Sequence, residues 1–296
     1  MPHSAALQGR IIASHGRHYM VELADGSVRK CFPRGKKAGA AVGDNVIIAP
    51  QGTDDGVITQ QLERRNLLYR SDHMRTKLFA ANIDLLLIVV AVEPAFSDEL
   101  IGRALVAASS ANIQPIIVLN KTDLVAALPE AQARVQQLRR LGLTIVELSA
   151  LDAEHVNTRL LPLLRGRTSL LLGQSGMGKS TLLNILVPGT NAFTQTHSTA
   201  LDAGKHTTTS TRLYHLPAGG NIIDSPGFQN FGLNHLSPGE IERGFPEFVR
   251  LLGQCRFYNC THLHEPGCRI LAAMEAGDIT RARHNLYARL LEESRT

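Results

Sequence analysis

The sequence predicts a multidomain α/β protein made of three units: a small β-barrel, a mostly parallel sheet covered by helices, and a mainly helical tail. Three observations lead to this architecture. Short β-rich runs separated by Gly and Asp turns fill the first 77 residues, apolar strands alternate with helix-like segments from about residue 82, and three cysteines fall within fourteen residues near the end. We therefore expect domains over residues 1–77, 78–235 and 236–296.

The sequence pattern of the first unit predicts a small antiparallel barrel. Its β-rich runs are "GRIIASHGRHYMVEL", "SVRKCF", "VGDNVIIAP" and "GVITQQL". This unit also carries the whole charge excess of the chain: residues 1–77 hold 12 Lys and Arg against 7 Asp and Glu, whereas residues 78–296 hold 19 of each. The basic run "VRKCFPRGKK" (28–37) could be a solvated surface, but the asymmetry favours a module that binds a polyanion.

The sequence pattern of the second unit predicts a parallel sheet with helices on both faces. The runs "IDLLLIVVAV", "PIIVLN", "TIVELSA" and "TSLLLG" predict buried strands, and "SDELIGRALVAASSA", "PEAQARVQQLRRLG" and residues 152–164 predict the helices between them. No apolar run reaches the about 18–20 residues that span a bilayer. The N-terminus also lacks the apolar stretch of a secretory signal. We expect a cytoplasmic monomer without membrane contact.

The segment "GQSGMGKS" (173–180) fits the phosphate-binding pattern G-x-x-x-x-G-K-[ST] between a predicted strand and a predicted helix. Glycines allow a tight loop whose N–H groups face phosphates, and the helix N-terminus favours negative charge. We expect Lys179 to reach the β- and γ-phosphates and act in catalysis, and Ser180 to bind Mg²⁺. The expected loop residues are Gly173, Gln174, Ser175, Gly176, Met177, Gly178, Lys179, Ser180 and Thr181.

The segment "NKTD" (Asn120, Lys121, Thr122, Asp123) also follows a predicted strand and suggests a guanine-reading loop. The Asp123 carboxylate can accept from both N1–H and the 2-amino group of guanine, whereas adenine offers neither donor. Asn120 can join loops, and the Lys121 stem can cover the ring. Alone, this short match could be an ordinary loop before a helix. "SA" (Ser149 and Ala150) ends the next predicted strand and supports the interpretation of NKTD as a guanine-reading loop.

The segment "DSPG" (224–227) supplies the remaining nucleotide contacts. We expect Asp224 to hold Mg²⁺ through water and the Gly227 N–H to contact the γ-phosphate. One of Thr207–Thr209 completes the Mg²⁺ shell, with Thr208 favoured. The order here is NKTD, SA, phosphate loop, threonines and DSPG, which is a rotation of the usual order that begins at the phosphate loop. Because binding depends on which strand ends meet in space, the motifs predict a circularly permuted GTPase domain.

The tail contains a candidate zinc site with the spacing C-x4-C-x-H-x5-C. Its members are Cys255, Cys260, His262 and Cys268. Three thiolates and one imidazole suit a closed, structural Zn²⁺ site. His264 is a competing ligand, and the alternative is a set of unrelated buried cysteines.

With these motifs, the chain resembles the ribosome small-subunit-dependent GTPase A (RsgA) family over essentially its whole length. The motifs that carry the resemblance are "NKTD", "GQSGMGKST", "GKHTTT", "DSPGF" and the Cys3His spacing. The resemblance implies an OB-type barrel and a factor acting late in assembly of the small (30S) ribosomal subunit. It further implies that this factor contacts 16S rRNA and that the subunit stimulates its GTP hydrolysis.

The residue that activates the attacking water departs from the Ras-like pattern. Such enzymes place a glutamine directly after DxxG, and here that position is Phe228. The candidates are Gln229, His206 and His235. We favour His235, because it lies at the junction between the DSPG segment and the tail. A partner that binds the tail could move His235 into place.

Two other classes of function fit part of the sequence. One is a P-loop ATPase or small-molecule kinase in which NKTD is accidental. The other is an RNA-binding scaffold whose nucleotide is never turned over. Preference for GTP over ATP separates the first from a GTPase, and hydrolysis with small subunits separates the second.

Overall fold

The computed structural model describes residues 6–35, 39–71, 76–190, 211–225 and 232–295. Several residues singled out in the sequence lie outside these ranges and receive no structural account. They are Lys36, Lys37, His206, Thr207, Thr208, Thr209, Gly227, Phe228 and Gln229.

Five strands form the N-terminal barrel: β1 (Leu7–His15), β2 (His18–Leu23), β3 (Val28–Pro33), β4 (Asn45–Gln51) and β5 (Asp55–Gln61). Their order is β1-β2-β3-β5-β4, and β4 pairs back with β1 to close the barrel. All pairs are antiparallel except β3 with β5. A closed ring with an odd number of strands cannot alternate direction throughout, so the fully antiparallel barrel expected from the sequence needs one parallel pair. The OB-type barrel is confirmed.

A hairpin of β6 (Leu67–Ser71) and β7 (Thr76–Ala81) links the barrel to the second unit. The sequence analysis did not separate it from the flanking strands, and the expected boundary at residue 77 falls within β7. Buried Asn82 follows β7 and donates from Nδ2 to the Gly43 carbonyl at 2.9 Å, and so ties the hairpin to the barrel.

The second unit is the expected mostly parallel sheet. Its strands are β8 (Leu85–Ala91), β9 (Gln114–Asn120), β10 (Thr144–Glu147), β11 (Thr168–Leu172), β12 (Arg212–His215) and β13 (Asn221–Asp224), in the order β10-β9-β8-β11-β13-β12. Only β12 runs antiparallel, and Ala13 of β1 pairs with Arg212, so barrel and sheet are continuous. Every residue of β8 and of β11 is buried, as expected for strands covered on both faces.

Nine helices cover the described part of the chain. Around the sheet lie α1 (Asp98–Ser110), α2 (Leu128–Arg140), α3 (Ala153–His155), a π-helical turn (Val156–Leu160), α4 (Leu161–Leu164) and α5 (Lys179–Leu186). The tail contributes α6 (Pro238–Arg243), α7 (Pro246–Val249), α8 (Arg269–Glu275) and α9 (Arg281–Glu293). Within the described ranges, none of these helices has the length and apolar character needed to cross a membrane.

The helical tail packs on α1 of the second unit. Phe245, Phe248 and Tyr287 are fully buried and form its aromatic core, with ring centroids 5.0–5.6 Å apart. Gly102 of α1 permits the close approach, because a Cβ there would lie 2.2 Å from Leu286 Cδ2. The tail therefore packs on a helix whose N-terminal cap, Ser97, contacts Gln174 of the segment before α5.

Candidate functional site

Asn120 joins three loops at the carboxyl edge of the parallel sheet. It ends β9 and is 1% exposed. Its Nδ2 donates to the Met177 carbonyl at 2.9 Å, while its Oδ1 accepts from the N–H groups of Lys121 and Ala150, each at 2.8 Å. Because all three partners are backbone groups, the position of each loop is fixed by one side chain. The structure thus brings NKTD, SA and the phosphate loop together despite their order in the chain.

The phosphate loop connects β11 to α5 and has the backbone that its glycines predict. Gly176 and Gly178 adopt positive φ angles of 81° and 85°, which disfavour other residues. At Gly178 a Cβ would also lie 2.2 Å from Asn120 Nδ2. At Gly173 a Cβ would lie 2.3 Å from the Val89 carbonyl oxygen. Helix α5 begins at Lys179, so the loop opens onto a helix N-terminus.

Lys179 and Asp224 place opposite charges in a buried part of the site. The Lys179 Nζ donates to the carbonyls of Gly173 and Gln174 at 2.7 and 2.8 Å. Burial lowers the pKa of Lys179, partly opposed by Asp224, and burial also raises the pKa of Asp224. Desolvation therefore disfavours both charged forms. A phosphate near the ammonium and a cation near the carboxylate would each relieve that cost.

Asp123 and Ser149, which were expected to contact the base, lie side by side in the site. The Ser149 hydroxyl donates to Asp123 Oδ1 at 2.5 Å and accepts from the Leu151 N–H at 3.2 Å. The carboxylate is thereby fixed in direction, with Oδ2 free of this bond. Lys121 has a positive φ of 63°, so NKTD turns sharply after the strand. These contacts give Ser149 an orienting role that its weak sequence signal did not indicate.

A cleft of about 900 Å³ lies between these loops. Eight residues that the sequence analysis expected to contact nucleotide line it: Asn120, Lys121, Asp123, Ser149, Ala150, Gly176, Gly178 and Thr181. Phe96 and Arg134 form a wall that the sequence analysis missed: the Arg134 guanidinium carbon lies 3.9 Å from the Phe96 ring centroid, and its Nη2 donates to the Phe96 carbonyl at 2.7 Å. They belong to α2 and a loop with no motif, so only the fold brings them to the cleft.

Gln174 connects the phosphate loop to α1. Its side-chain oxygen accepts from the Ser97 N–H at 3.0 Å, and the Ser97 hydroxyl caps α1 by accepting from the Leu100 N–H at 3.2 Å. Of the remaining expected loop residues, Ser175 is exposed and Ser180 and Thr181 lie in the first turn of α5. Thr122 donates from its backbone to the Leu148 carbonyl at 3.3 Å.

The four predicted metal ligands meet in the tail. One ligand atom from each of Cys255, Cys260, His262 and Cys268 lies within 4.8 Å of the others. The Sγ atoms of Cys255 and Cys268 are 3.9 Å apart and lie 3.5 and 3.4 Å from His262 Nδ1. A tetrahedron with metal–sulfur bonds of about 2.3 Å has sulfur–sulfur edges of about 3.8 Å. The donor set and its spacing therefore fit a tetrahedral metal ion.

Contacts behind His262 orient its ring. Its Nε2 lies 3.4 Å from Glu242 Oε2, which leaves Nδ1 for the metal, as in carboxylate–histidine–metal arrangements. Its carbonyl is 2.7 Å from His284 Nε2. Glu242 and His284 come from α6 and α9, far from the motif, and no spacing rule could have identified them. His264, the competing ligand, is exposed and outside the cluster.

His235 lies between the second unit and the tail. It follows the end of the second unit and precedes the Ser237 cap of α6. Its ring contacts Tyr69 of β6, with centroids 5.1 Å apart. Desolvation of the ring lowers the pKa of His235, and Glu240 opposes this effect. The lowered pKa favours the neutral imidazole, and the catalytic role of His235 stays a prediction.

Comparisons with known proteins agree on one family. A family model described as RsgA GTPase matches residues 61–234. A protein of Bordetella pertussis named small ribosomal subunit biogenesis GTPase RsgA is 65% identical over 288 residues, which cover 97% of this chain and 96% of that protein. The crystal structure of YjeQ from Thermotoga maritima aligns with a TM-score of 0.75 at 31% identity, covering 98% and 99% of the two chains. YloQ, described as a circularly permuted GTPase, aligns with a TM-score of 0.71 at 26% identity, covering 99% and 96%.

Proposed function

The chain belongs to the RsgA GTPase family, and we propose on this basis that it hydrolyses GTP as a factor in late maturation of the small (30S) ribosomal subunit. The observation that carries the proposal is the single contact set of Asn120, which joins a guanine-reading loop to a phosphate loop. In an ATPase whose NKTD match is accidental, nothing would require this contact between NKTD and the phosphate loop. A scaffold that only binds RNA would not need it either.

The proposed contacts with GTP follow from the chemistry of each loop. Asp123 accepts from N1–H and the 2-amino group of guanine, the Lys121 stem covers the ring, and Ala150 and Ser149 complete the base pocket. Backbone N–H groups of the phosphate loop surround the phosphates. Lys179 neutralises charge on the β- and γ-phosphates as they react.

Mg²⁺ fits the remaining polar groups of the site. Ser180 would bind it directly and Asp224 through water, while Thr208 and Gly227 would contact the metal and the γ-phosphate in the triphosphate state. When bound, Mg²⁺ supplies positive charge that stabilises the phosphoryl oxygens. The raised pKa of Asp224 supports the assignment, because a buried carboxylate gains most from a nearby cation.

We further propose that the three units have separate tasks: residues 1–77 bind 16S rRNA, residues 78–235 bind GTP, and residues 236–296 form a zinc-stabilised contact unit.

On the outer face of the barrel, His15, His18 and Phe32 lie side by side across β1, β2 and β3, with successive ring centroids 5.2 and 6.1 Å apart. Lys30 lies over Phe32. A basic aromatic surface of this kind suits RNA. The chain would act as a monomer in the cytoplasm, where its partner is assembled.

Neutralising the basic run of the barrel tests this RNA contact. We expect Lys30→Gln, Arg34→Gln, Lys36→Gln and Lys37→Gln together to weaken small-subunit binding and flatten its salt dependence. The log–log slope should fall by roughly 0.7–0.9 for each phosphate that the variant no longer neutralises. Sedimentation with purified small subunits over a range of salt measures this. Arg29 is left intact, because its Nη1 donates to the Gly52 carbonyl and supports the barrel.

The control for this variant neutralises Arg139 and Arg140, which are exposed on α2. It should leave the slope unchanged, and intrinsic GTP turnover should stay the same in both variants. If the barrel variant binds with the original affinity and slope at physiological salt, the basic run is only a solvated surface.

Zinc is the proposed ion of the Cys3His cluster. Since a closed structural site contributes folding energy directly, Cys260→Ser should unfold the tail and leave nucleotide binding nearly intact. Elemental analysis should give about one Zn²⁺ per chain for the unaltered protein. His264→Ala is the matched control and should retain the metal. A well-folded tail in a metal-free preparation would overturn the assignment.

A further inference from the structure

The segment between Cys255 and Cys260 presents two aromatic side chains on the surface of the tail. Tyr258 is 103% exposed and Phe257 is 41% exposed. The other aromatic rings of the tail behave differently: Phe245, Phe248 and Tyr287 are fully buried. Packing within the described residues does not account for the exposure of these two adjacent rings. Exposed apolar groups that lie together indicate a binding surface.

The backbone that carries these rings is fixed. The Arg256 N–H donates to the Gly267 carbonyl at 3.1 Å, and the Cys260 N–H donates to the Phe257 carbonyl at 3.3 Å. Gly267 has a positive φ of 76°, and a Cβ there would lie 2.9 Å from Arg256 Cβ. Metal ligands flank the segment on both sides. Binding through a segment held in this way costs little conformational entropy.

The charge around the rings is positive. Residues 250–270 contain three arginines and one glutamate, Glu265. Arg250, Arg256 and Arg269 are exposed, and the Arg256 guanidinium lies 5.5 Å from the Phe257 ring centroid. Glu265 accepts hydrogen bonds from the backbone of Thr261, Leu263 and His264, so its charge is directed into the loop. The surface thus combines exposed π-faces with the positive charges of three exposed arginines.

We propose that Phe257 and Tyr258 stack on an unpaired base of ribosomal RNA, while Arg256 contacts a neighbouring phosphate. The inference rests on the proposed function, which supplies RNA as the partner. Unpaired bases offer a flat π-face to aromatic side chains and to arginine, and single-stranded RNA carries a phosphate beside each base. The rings and the charges of this segment match both features at once. A pocket on a ribosomal protein would need the rings but not the surrounding arginines.

Replacing Tyr258 should separate the stacking contact from the charge contact. Tyr258→Ala is expected to weaken small-subunit binding by roughly 5- to 150-fold, the effect of removing one stacked base. Its salt slope should stay unchanged, because the ring contacts no phosphate. Arg256→Gln should instead lower the slope by roughly one unit. The matched control is Val249→Ala, which removes an exposed apolar side chain on α7 and should have no effect.

The chain contains no tryptophan, so Tyr258→Trp creates a single fluorescent reporter at the proposed contact. The tryptophan emission should be quenched by small subunits and by an unstructured adenosine oligoribonucleotide. The affinity of the Tyr258→Trp variant for small subunits should match that of the unaltered chain. All measurements use the whole 296-residue chain loaded with zinc.

The outcomes distinguish this inference from the proposed function. If the unaltered chain does not bind small subunits, the proposed function fails. If it binds and Tyr258→Ala binds equally well, only the inference is overturned. Weaker binding of Tyr258→Ala together with photo-crosslinks from this position to a ribosomal protein, and not to 16S rRNA, would also overturn it.

Discussion

Asp123→Asn is expected to weaken GTP binding on the order of a thousandfold or more, because it replaces the acceptor of two guanine hydrogen bonds by an amide that presents a donor. The same change should improve binding of xanthosine triphosphate, whose 2-oxo group can accept from the new amide. Ser149 should continue to orient the side chain, since its hydroxyl can donate to the amide oxygen. Titration with labelled GTP and xanthosine triphosphate measures both effects.

The matched control for this variant is Asp152→Asn, three residues after Ser149. Asp152 caps α3 by accepting from the Glu154 and His155 N–H groups, and asparagine caps helices equally well. GTP affinity should not change there. Unchanged GTP affinity in Asp123→Asn itself would refute the base-reading role of NKTD.

The sequence predicted those parts of the site that depend on local backbone chemistry. The glycines of the phosphate loop need particular backbone conformations, and the runs β8, β9 and β11 are predominantly apolar. Loops that follow such strands were therefore expected to meet at one edge of the sheet. The structure brings Asn120, Ala150 and Met177 into contact there, which confirms the permuted arrangement.

Other parts could not be predicted, because they depend on side chains that only the tertiary fold brings together. The Phe96–Arg134 wall and the Glu242 contact behind His262 join elements far apart in sequence, and neither has a characteristic spacing. The parallel pair β3–β5 follows from closing an odd number of strands, which strand patterns alone do not reveal. Pattern rules describe neighbours along the chain, whereas these contacts are between distant segments.

His235→Ala is expected to remove most of the subunit-stimulated hydrolysis, roughly a hundredfold or more, which is the usual contribution of a positioned acid–base group. Phe228 cannot orient water, so the imidazole is proposed to do so once the subunit moves the junction that carries it. GTP affinity and subunit binding should stay nearly the same, since His235 does not line the nucleotide cleft. Single-turnover hydrolysis on small subunits separates rate from binding.

The pH dependence gives this prediction a second readout. Because desolvation lowers the pKa of His235, the neutral, proton-accepting form persists below the usual pKa of histidine. The stimulated rate should therefore stay high as pH falls to that usual value and decline only below it. His155→Ala serves as the control and should keep the full rate. Stimulation that survives in His235→Ala but disappears in His206→Ala would assign the role to His206.

The rate of GTP hydrolysis by the unaltered chain, measured alone, with purified small subunits and with purified large subunits, tests the central claim most directly. A permuted GTPase that acts on the small subunit should turn over GTP slowly alone and with large subunits, and much faster with small subunits. It should leave ATP untouched in all three mixtures. Equal rates with either subunit, or hydrolysis of ATP as fast as GTP, would contradict the account.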